Sequence, residues 1–334
     1  MPSIPSREIR LVARPIGLPQ STDFRTASNP AREPGAGEVQ VRNSWMSVDP
    51  YMRGRMVDRA SYVPPFQLGE ALQGGAIGTV VASQDPAFQP GDIVSHMLGW
   101  REAVTASARL FQKVDTHGLP EQAFLGVVGM PGLTAWAGLM EIGQPREGDT
   151  VFVSGAAGAV GSVVCQVAKI KGCTVVASAG SDEKAAWLKG LGVDEVVNYR
   201  ATKDLLGAVR AAAPKGIDIY FDNVGGEHLE VALEVARPGA RFVECGMISM
   251  YNDTTPAPGP RNLAYLIGKG ITMRGFVVTS FAHLTPQFAT EMAGWIKEGR
   301  IKWEETVVEG IEEAPRAFLG LFTGANTGKM LVKL

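Results

Sequence analysis

A chain of 334 residues, 45% hydrophobic and 20% charged, is neither disordered nor fibrous and has room for two domains. Its formal net charge of −2 gives no electrostatic reason to expect nucleic acid or an anionic membrane as partner. The start, Met1-Pro2-Ser3-Ile4-Pro5-Ser6, lacks the basic segment and apolar core of a signal peptide, and no apolar run reaches spanning length. Three scattered cysteines, Cys165, Cys173 and Cys245, leave one unpaired, which suits a reducing compartment and sets a cytoplasmic expectation.

Residues 1 to about 125 are rich in short strands. Residues 38–43 alternate polar and apolar as a half-buried strand does, and 78–82 and 92–95 are two more strands. Turns at Asp85-Pro86 and Gln89-Pro90-Gly91-Asp92 punctuate them. A barrel-like domain with little helix is expected.

Beyond residue 125 strands and helices alternate. The run Val151-Phe152-Val153-Ser154-Gly155-Ala156-Ala157-Gly158-Ala159-Val160-Gly161 joins a β-prone tetrad to a glycine-rich turn. A helix at 162–171 follows, with Val163, Val167 and Ile170 on one face, then a strand at 174–177. Strand, glycine turn, helix and strand in this order are the setting of a dinucleotide fingerprint. Without Cβ atoms, backbone N–H groups approach a pyrophosphate closely at a helix N-terminus. The motif departs from G-x-G-x-x-G, because Ala156 sits where the first glycine is expected.

The second strand runs into Ser178-Ala179-Gly180-Ser181 with no acid at its tip, whereas an NAD site usually places Asp or Glu there for the ribose. Ser181 reads as an N-cap, which puts Asp182 and Glu183 in the first helical turn. Lys184 lies one turn in and Tyr199 ends the third strand, 195–198. Together they suit a 2′-phosphate, one as cation and one as hydroxyl donor. NADP is therefore favoured over NAD.

Helices follow at 182–190, 203–213 and 227–236, the last stopped by Arg237-Pro238-Gly239, with strands at 217–221 and 241–245. A Pro/Gly-rich excursion at 254–260 and a short helix precede a sixth strand, 272–277. Six strands with intervening helices imply a parallel sheet covered on both faces, with ligands beyond the carboxyl ends of its strands. The tail, with helices at 285–298 and 312–322 and strands at 303–308 and 330–334, is expected to rejoin the first domain. The division expected is 1–125 with 300–334, and 126–299.

The four histidines, His96, His117, His228 and His283, do not pair with Cys or Glu at metal-ligand spacing, and four cysteines for a structural zinc are lacking. No G-x-S-x-G elbow is present. Hydride transfer from a nicotinamide is the chemistry left, with the protein orienting the reactants and stabilising a developing negative oxygen. Three segments suit that setting: 129–136 before the dinucleotide fold, Asp222-Asn223-Val224-Gly225-Gly226 after the fourth strand, and 245–252 after the fifth.

With Ser47-Val48-Asp49-Pro50-Tyr51-Met52-Arg53 and the stretches 156–162, 179–184, 198–199, 221–227, 246–252, 275–278 and 326–329, these segments resemble the zinc-independent medium-chain dehydrogenase/reductase superfamily. They are most similar to the branch of prostaglandin reductase, plant alkenal double-bond reductases and bacterial curcumin reductase. The resemblance implies an α/β chain, a GroES-like β-barrel domain plus a Rossmann doubly wound parallel sheet, usually as a homodimer. It implies that Gly158, Ala159, Val160 and Gly161 meet the pyrophosphate. Thr134, Asn223, Cys245, Gly246, Ile248, Ser249, Phe276, Val277, Val278, Asn326 and Gly328 then contact the rest of the cofactor. Tyr251 matches a family tyrosine that bonds the cofactor ribose or the substrate carbonyl, and Tyr51 and Met130 are pocket walls. Met250 departs from the small or amide residue expected before the tyrosine.

The activity expected is NADPH-dependent reduction of the C=C bond of α,β-unsaturated ketones and aldehydes, an oxidoreductase acting on a CH–CH group. Hydride goes to the β-carbon and no metal assists. The alternatives are quinone reduction within the same superfamily and a non-catalytic NADPH-binding protein.

Overall fold

In the computed structural model, residues 3–256 and 258–334 are described. Met1 and Pro2 at the start, and Ala257 in the excursion at 254–260, lie outside the described residues. The chain divides into two compact units: Met1–Leu125 with Glu305–Asn326 and Met330–Leu334, and Gly126–Glu304 with Thr327–Lys329.

The first unit is built on one long strand, Glu38–Ser47. It pairs antiparallel with Ala76–Ser83, with Ala103–Ser107 along its first half and with Lys329–Lys333 along its second. The alternation at 38–43 suggested one wet face, but Gln40 and Asn43 are buried too. Their amides are satisfied: Gln40 donates to the Ala31 and Arg32 carbonyls at 3.0 and 2.9 Å, and Asn43 donates to the Arg101 carbonyl at 2.8 Å. A buried amide costs little once bonded.

A two-stranded antiparallel ribbon, Arg7–Leu11 with Phe24–Ser28, has no counterpart in the sequence reading. Its inward residues Ile9, Leu11 and Phe24 join Met46, Met52, Trp100 and Phe318 in one apolar cluster. Phe24 stacks on Trp100 at 6.3 Å, and Phe318 meets both rings edge-on at 6.4 and 6.1 Å. Phe318→Ala should therefore destabilise this unit by about 3–5 kcal/mol, read as a lower urea midpoint in equilibrium unfolding; an unchanged midpoint would refute the assignment.

The second unit holds a six-stranded parallel sheet: β1 Thr150–Val153, β2 Thr174–Ala179, β3 Glu195–Asn198, β4 Ile217–Asp222, β5 Ala236–Glu244 and β6 Thr272–Gly275. Their order across the sheet is 3-2-1-4-5-6, the doubly wound arrangement in which the winding reverses between β1 and β4. The principal helices are α1 Gly161–Ile170, α2 Asp182–Gly190, α3 Leu205–Ala212, α4 Gly226–Val235 and α5 Thr285–Lys297. β1, β2 and β4 are buried almost throughout, as strands covered on both faces must be.

Arg237-Pro238-Gly239, expected to break the chain between helix and strand, lies inside β5. The ladder absorbs it: the β4–β5 register shifts between Ile217 and Ile219, and Gly239 takes φ 76°. Proline and glycine at a bulge near a strand start do not end the strand. β2 runs two residues further than expected and β6 stops two residues short. Chain expected to leave this unit at residue 300 stays with it through Glu304. Lys302 N–H donates to the Gln166 side chain at 2.8 Å there, and Lys329 N–H to the Glu304 carbonyl at 3.0 Å.

Candidate active site

Three constellations lie at the carboxyl ends of β1, β2, β4 and β5. The first is the turn from β1 into α1. Gly155 adopts φ 57°, which a side chain tolerates poorly. Ala156 keeps an ordinary backbone, so the glycine that the motif demands has moved one place earlier. A Cβ on Gly161 would lie 2.6 Å from the Gly155 carbonyl oxygen and 2.7 Å from Ala156 Cα. Gly158 is different: a Cβ there would meet nothing nearer than 3.4 Å. Gly158 is half-buried, its N–H donating to the Gly155 carbonyl at 3.2 Å, with Ala159 and Val160 half-buried beside it before α1. Gly328 braces the turn from behind, its N–H donating to the Ala157 carbonyl at 2.8 Å. At φ 65°, a Cβ on Gly328 would fall 1.9 Å from the Glu304 carbonyl oxygen.

The second constellation stands beyond β2 and β3. Ser181 caps α2, its hydroxyl accepting from Lys184 N–H at 3.3 Å. That fixes the helix start and leaves Lys184 half-buried. Burial lowers the Lys184 pKa, and the nearby Arg200 guanidinium adds to the lowering. Arg200 sits 5.8 Å from the Tyr199 ring centre. A Cβ on Gly180 would stand 2.9 Å from Tyr199 Oη and 3.4 Å from Arg200 Nε. Gly180, Lys184, Tyr199 and Arg200 thus form one cationic corner. Asp182 is drawn aside, accepting from Asn198 Nδ2 at 2.7 Å. Arg200 was missed in the sequence; the adjacent Tyr199 was the signal that pointed to it.

The third constellation centres on Asp222, which is fully buried. Its Oδ1 accepts from Ser154 Oγ at 2.9 Å, Tyr220 Oη at 2.7 Å, and the Val224 and Gly225 N–H groups at 2.8 Å each. Ser154 Oγ in turn accepts from Asn223 N–H at 2.9 Å. Asn223, expected to face the cofactor, spends its amide on the Ser154 carbonyl at 2.8 Å. The Asp222 carbonyl takes the N–H groups of Cys245 and Gly246, both at 3.0 Å. Asn223 and Val224 carbonyls take Ile248 N–H at 3.2 Å and Ser249 N–H at 3.1 Å. Tyr251 Oη accepts from Met247 N–H at 3.3 Å, folding the ring back over its own loop.

Glu244 ends β5 directly opposite Asp222 in the register. Burial and the Asp222 charge push its carboxyl up to about 8. Burial likewise pushes the Cys245 thiol up to about 12. Sequence reading singled out neither Ser154, Asp222 nor Glu244 as a working group.

The remaining expected residues fall in several places. Phe276, Val277 and Val278 follow β6 half-buried, and the Phe276 ring leaves no room for a Cβ on Gly138, 2.7 Å away. Met130 opens the helix Met130–Ala137, 40% exposed, and the Thr134 hydroxyl donates to its carbonyl at 2.7 Å. Tyr51 and Asn326 belong to the first unit, where Tyr51 precedes the short helix Met52–Arg55. Burial raises the Tyr51 phenol pKa.

Known families match both units. Residues 7–114 match the family described as the N-terminal domain of oxidoreductase, and 159–297 the one described as zinc-binding dehydrogenase. The chain is 45% identical over 302 residues to the 2-alkenal reductase (NADP(+)-dependent) of Nicotiana tabacum, covering 89% of this chain and 88% of that protein. It is 40% identical over 330 residues to the NADPH-dependent curcumin reductase of Escherichia coli strain K12, covering 97% and 95%. The chain belongs to the zinc-independent branch of the medium-chain dehydrogenase/reductase superfamily.

The solved structure of CurA from Vibrio vulnificus in complex with NADPH superposes on this family member with a TM-score of 0.93 at 39% identity, covering 98% of each chain. Among the described residues of this dehydrogenase/reductase, no three His, Cys, Asp or Glu side chains are grouped as a metal ion needs, although one family description mentions zinc. No helix among the described residues is long and apolar enough to cross a membrane.

Proposed function

We propose that this chain is an NADPH-dependent reductase of the carbon–carbon double bond in α,β-unsaturated ketones and aldehydes. The observation that carries the reading is the corner of Lys184, Tyr199 and Arg200 at the end of β2, where an NAD site would set an acid. Relatives named for NADP-dependent reduction of alkenals and curcumin support it.

The residues present fit a dinucleotide. The glycine turn at Gly158, Ala159, Val160 and Gly161, leading into α1, suits a pyrophosphate. Lys184, Tyr199 and Arg200 would hold the 2′-phosphate. Residues 245–249, Asn223, Thr134, Phe276, Val277, Val278, Asn326 and Gly328 would surround the nicotinamide half. NADPH, when bound, supplies the hydride that goes to the β-carbon. The chain's own part is to orient the substrate and stabilise the negative charge that develops on its carbonyl oxygen. Tyr251 is the donor assigned to that oxygen: accepting the Met247 N–H through Oη makes its hydroxyl hydrogen more acidic. Tyr51 and Met130 are assigned to the substrate walls.

A panel of enones, enals and quinones should give NADPH oxidation with the first two, and deuterium from labelled NADPH should appear at the β-carbon. Turnover of quinones alone would overturn the substrate class. Tyr251→Phe is expected to lower kcat/KM on the order of a hundredfold with NADPH affinity little changed. A loss confined to affinity would move Tyr251 to a purely binding role.

Lys184→Ala should weaken NADPH roughly ten- to a hundredfold while leaving NADH almost unaffected, because only NADPH carries the extra phosphate. Fluorescence titration with both coenzymes checks this, and equal losses would remove Lys184 from the phosphate site.

A homodimer fits the edge of the sheet. β6 is the last strand, mostly exposed, and Ile267 nearby is 89% exposed, an unpaired edge that a second copy can complete. Light scattering after gel filtration should give twice the chain mass; a monomer at every concentration would refute it. Three free cysteines fit residence in the reducing cytoplasm.

A further inference from the structure

Asp222 and Glu244 form a pair that the proposed chemistry does not use. They end adjacent parallel strands in direct register, immediately beneath the two turns assigned to the nicotinamide half. Glu244 is in turn registered with Gly275 at the end of β6. The two oxygens of the Asp222 carboxylate have unequal surroundings. Oδ1 takes four donors, while Oδ2 is buried and has no donor among the described residues. Both Glu244 oxygens are likewise buried without a donor. Two carboxylates side by side, desolvated and without a cation, are strongly disfavoured.

One proton resolves two of these three vacancies, joining one Glu244 oxygen to Asp222 Oδ2. Oδ1 of Asp222 already has four donors, whereas Glu244 has none, so Glu244 is the group that keeps the proton. Its O–H then donates to Asp222 Oδ2.

The titratable groups around the pair add no competing charge near neutral pH. Tyr220 from β4 is buried with its pKa raised, and Cys245 beyond β5 is pushed up to about 12. His228 from α4 has its pKa lowered by burial, with Asp222 opposing. Among the described residues, Asp222 is thus the charge that Glu244 answers to.

We propose that Glu244 is a positioning residue: as a neutral acid it donates to Asp222 Oδ2 and so holds the 223–226 and 245–251 turns in the arrangement that binds the nicotinamide half. The turns depend on Asp222 from two sides, since its carboxylate gathers the Val224 and Gly225 N–H groups and its carbonyl gathers those of Cys245 and Gly246. Ionisation of Glu244 sets like charges against each other at that hinge and loosens both turns together. The inference rests on the NADPH reading above.

The test compares the full-length protein with Glu244→Gln, whose amide donates to Oδ2 but does not ionise. Between the ordinary carboxyl value of 4.5 and about 8, the folded wild type binds a proton that the unfolded chain has lost. Its stability therefore falls as pH rises through that window and levels off above it. The unfolding temperature of the wild type should drop across the window relative to Glu244→Gln. NADPH affinity should weaken about tenfold per pH unit above about pH 8 in the wild type only. The Lys184 titration is common to both proteins and cancels in the comparison.

Parallel unfolding curves would overturn the shared proton while leaving the proposed function standing. Divergent unfolding with coincident NADPH curves would make Glu244 merely structural and overturn its positioning role. Failure of the wild type to bind NADPH at any pH would defeat the functional reading itself, and with it the role assigned to Glu244; failure of Glu244→Gln alone would overturn only the donor role.

Discussion

The Asp222 carboxylate is the contact on which the second unit's working end depends. A fully buried charge is tolerable only where donors replace the lost water, and here four of them converge on one oxygen. They come from Ser154 just beyond β1, from β4 itself and from the turn that follows it. The sheet's centre is thereby tied to the backbone of that turn. The turn's carbonyls at Asp222, Asn223 and Val224 then take N–H groups from Cys245, Gly246, Ile248 and Ser249. Two loops that leave different strands behave as one body, because each is satisfied only in the presence of the other. That is how a site assembled from strand ends acquires the rigidity that orienting two reactants requires.

Steric exclusion completes at the glycine turn what hydrogen bonding does at Asp222. Gly161 lets the start of α1 cross over Gly155 and Ala156 at distances where no Cβ fits. Gly328 does the same against Glu304 while giving its N–H to Ala157. The segment Thr327–Lys329 therefore belongs with the turn it braces, although the strand that continues from it pairs with Ser47 and Met46 in the other unit. A short stretch near the end of the chain thus contributes to the same turn as residues some 170 positions earlier.

The parts that were legible in sequence share a local cause. The β1 turn, the Ser181 cap and the missing acid after β2 are each written within a few consecutive residues, where conformation and chemistry follow from residue type. The misreadings have local causes as well. Arg237-Pro238-Gly239 has the composition of a helix stop, yet a bulge lets the strand contain it. The Arg7–Leu11 ribbon hides behind a charged, irregular pattern whose meaning comes from Trp100 and Phe318, far away in the chain. Glu244 could not be read at all: its environment is set by register with Asp222, a relation between strands that no periodicity encodes. Arg200 escaped although Tyr199 beside it was singled out, because its neighbour Lys184 lies on the helix before β3 and chain order does not show that approach.

On the proposed reading, the cationic corner holds coenzyme selectivity in the free protein. Burial holds the Lys184 proton less firmly than water does, and the nearby Arg200 adds to the effect. Two like charges kept together are a standing cost, and the group that best relieves it is an anion placed between them. Asp182 would have served that purpose from within the chain, but Asn198 holds it to one side. On the proposed reading a ribose lacking the 2′-phosphate would add no anion to this corner, so discrimination would come as much from what the wrong ligand fails to supply as from what the right one touches. The same logic, with the sign reversed, applies on the other side of β1, at the carboxyl ends of β4 and β5. There the excess is negative, no cation is built in among the described residues, and a proton on Glu244 is the smallest group that balances it.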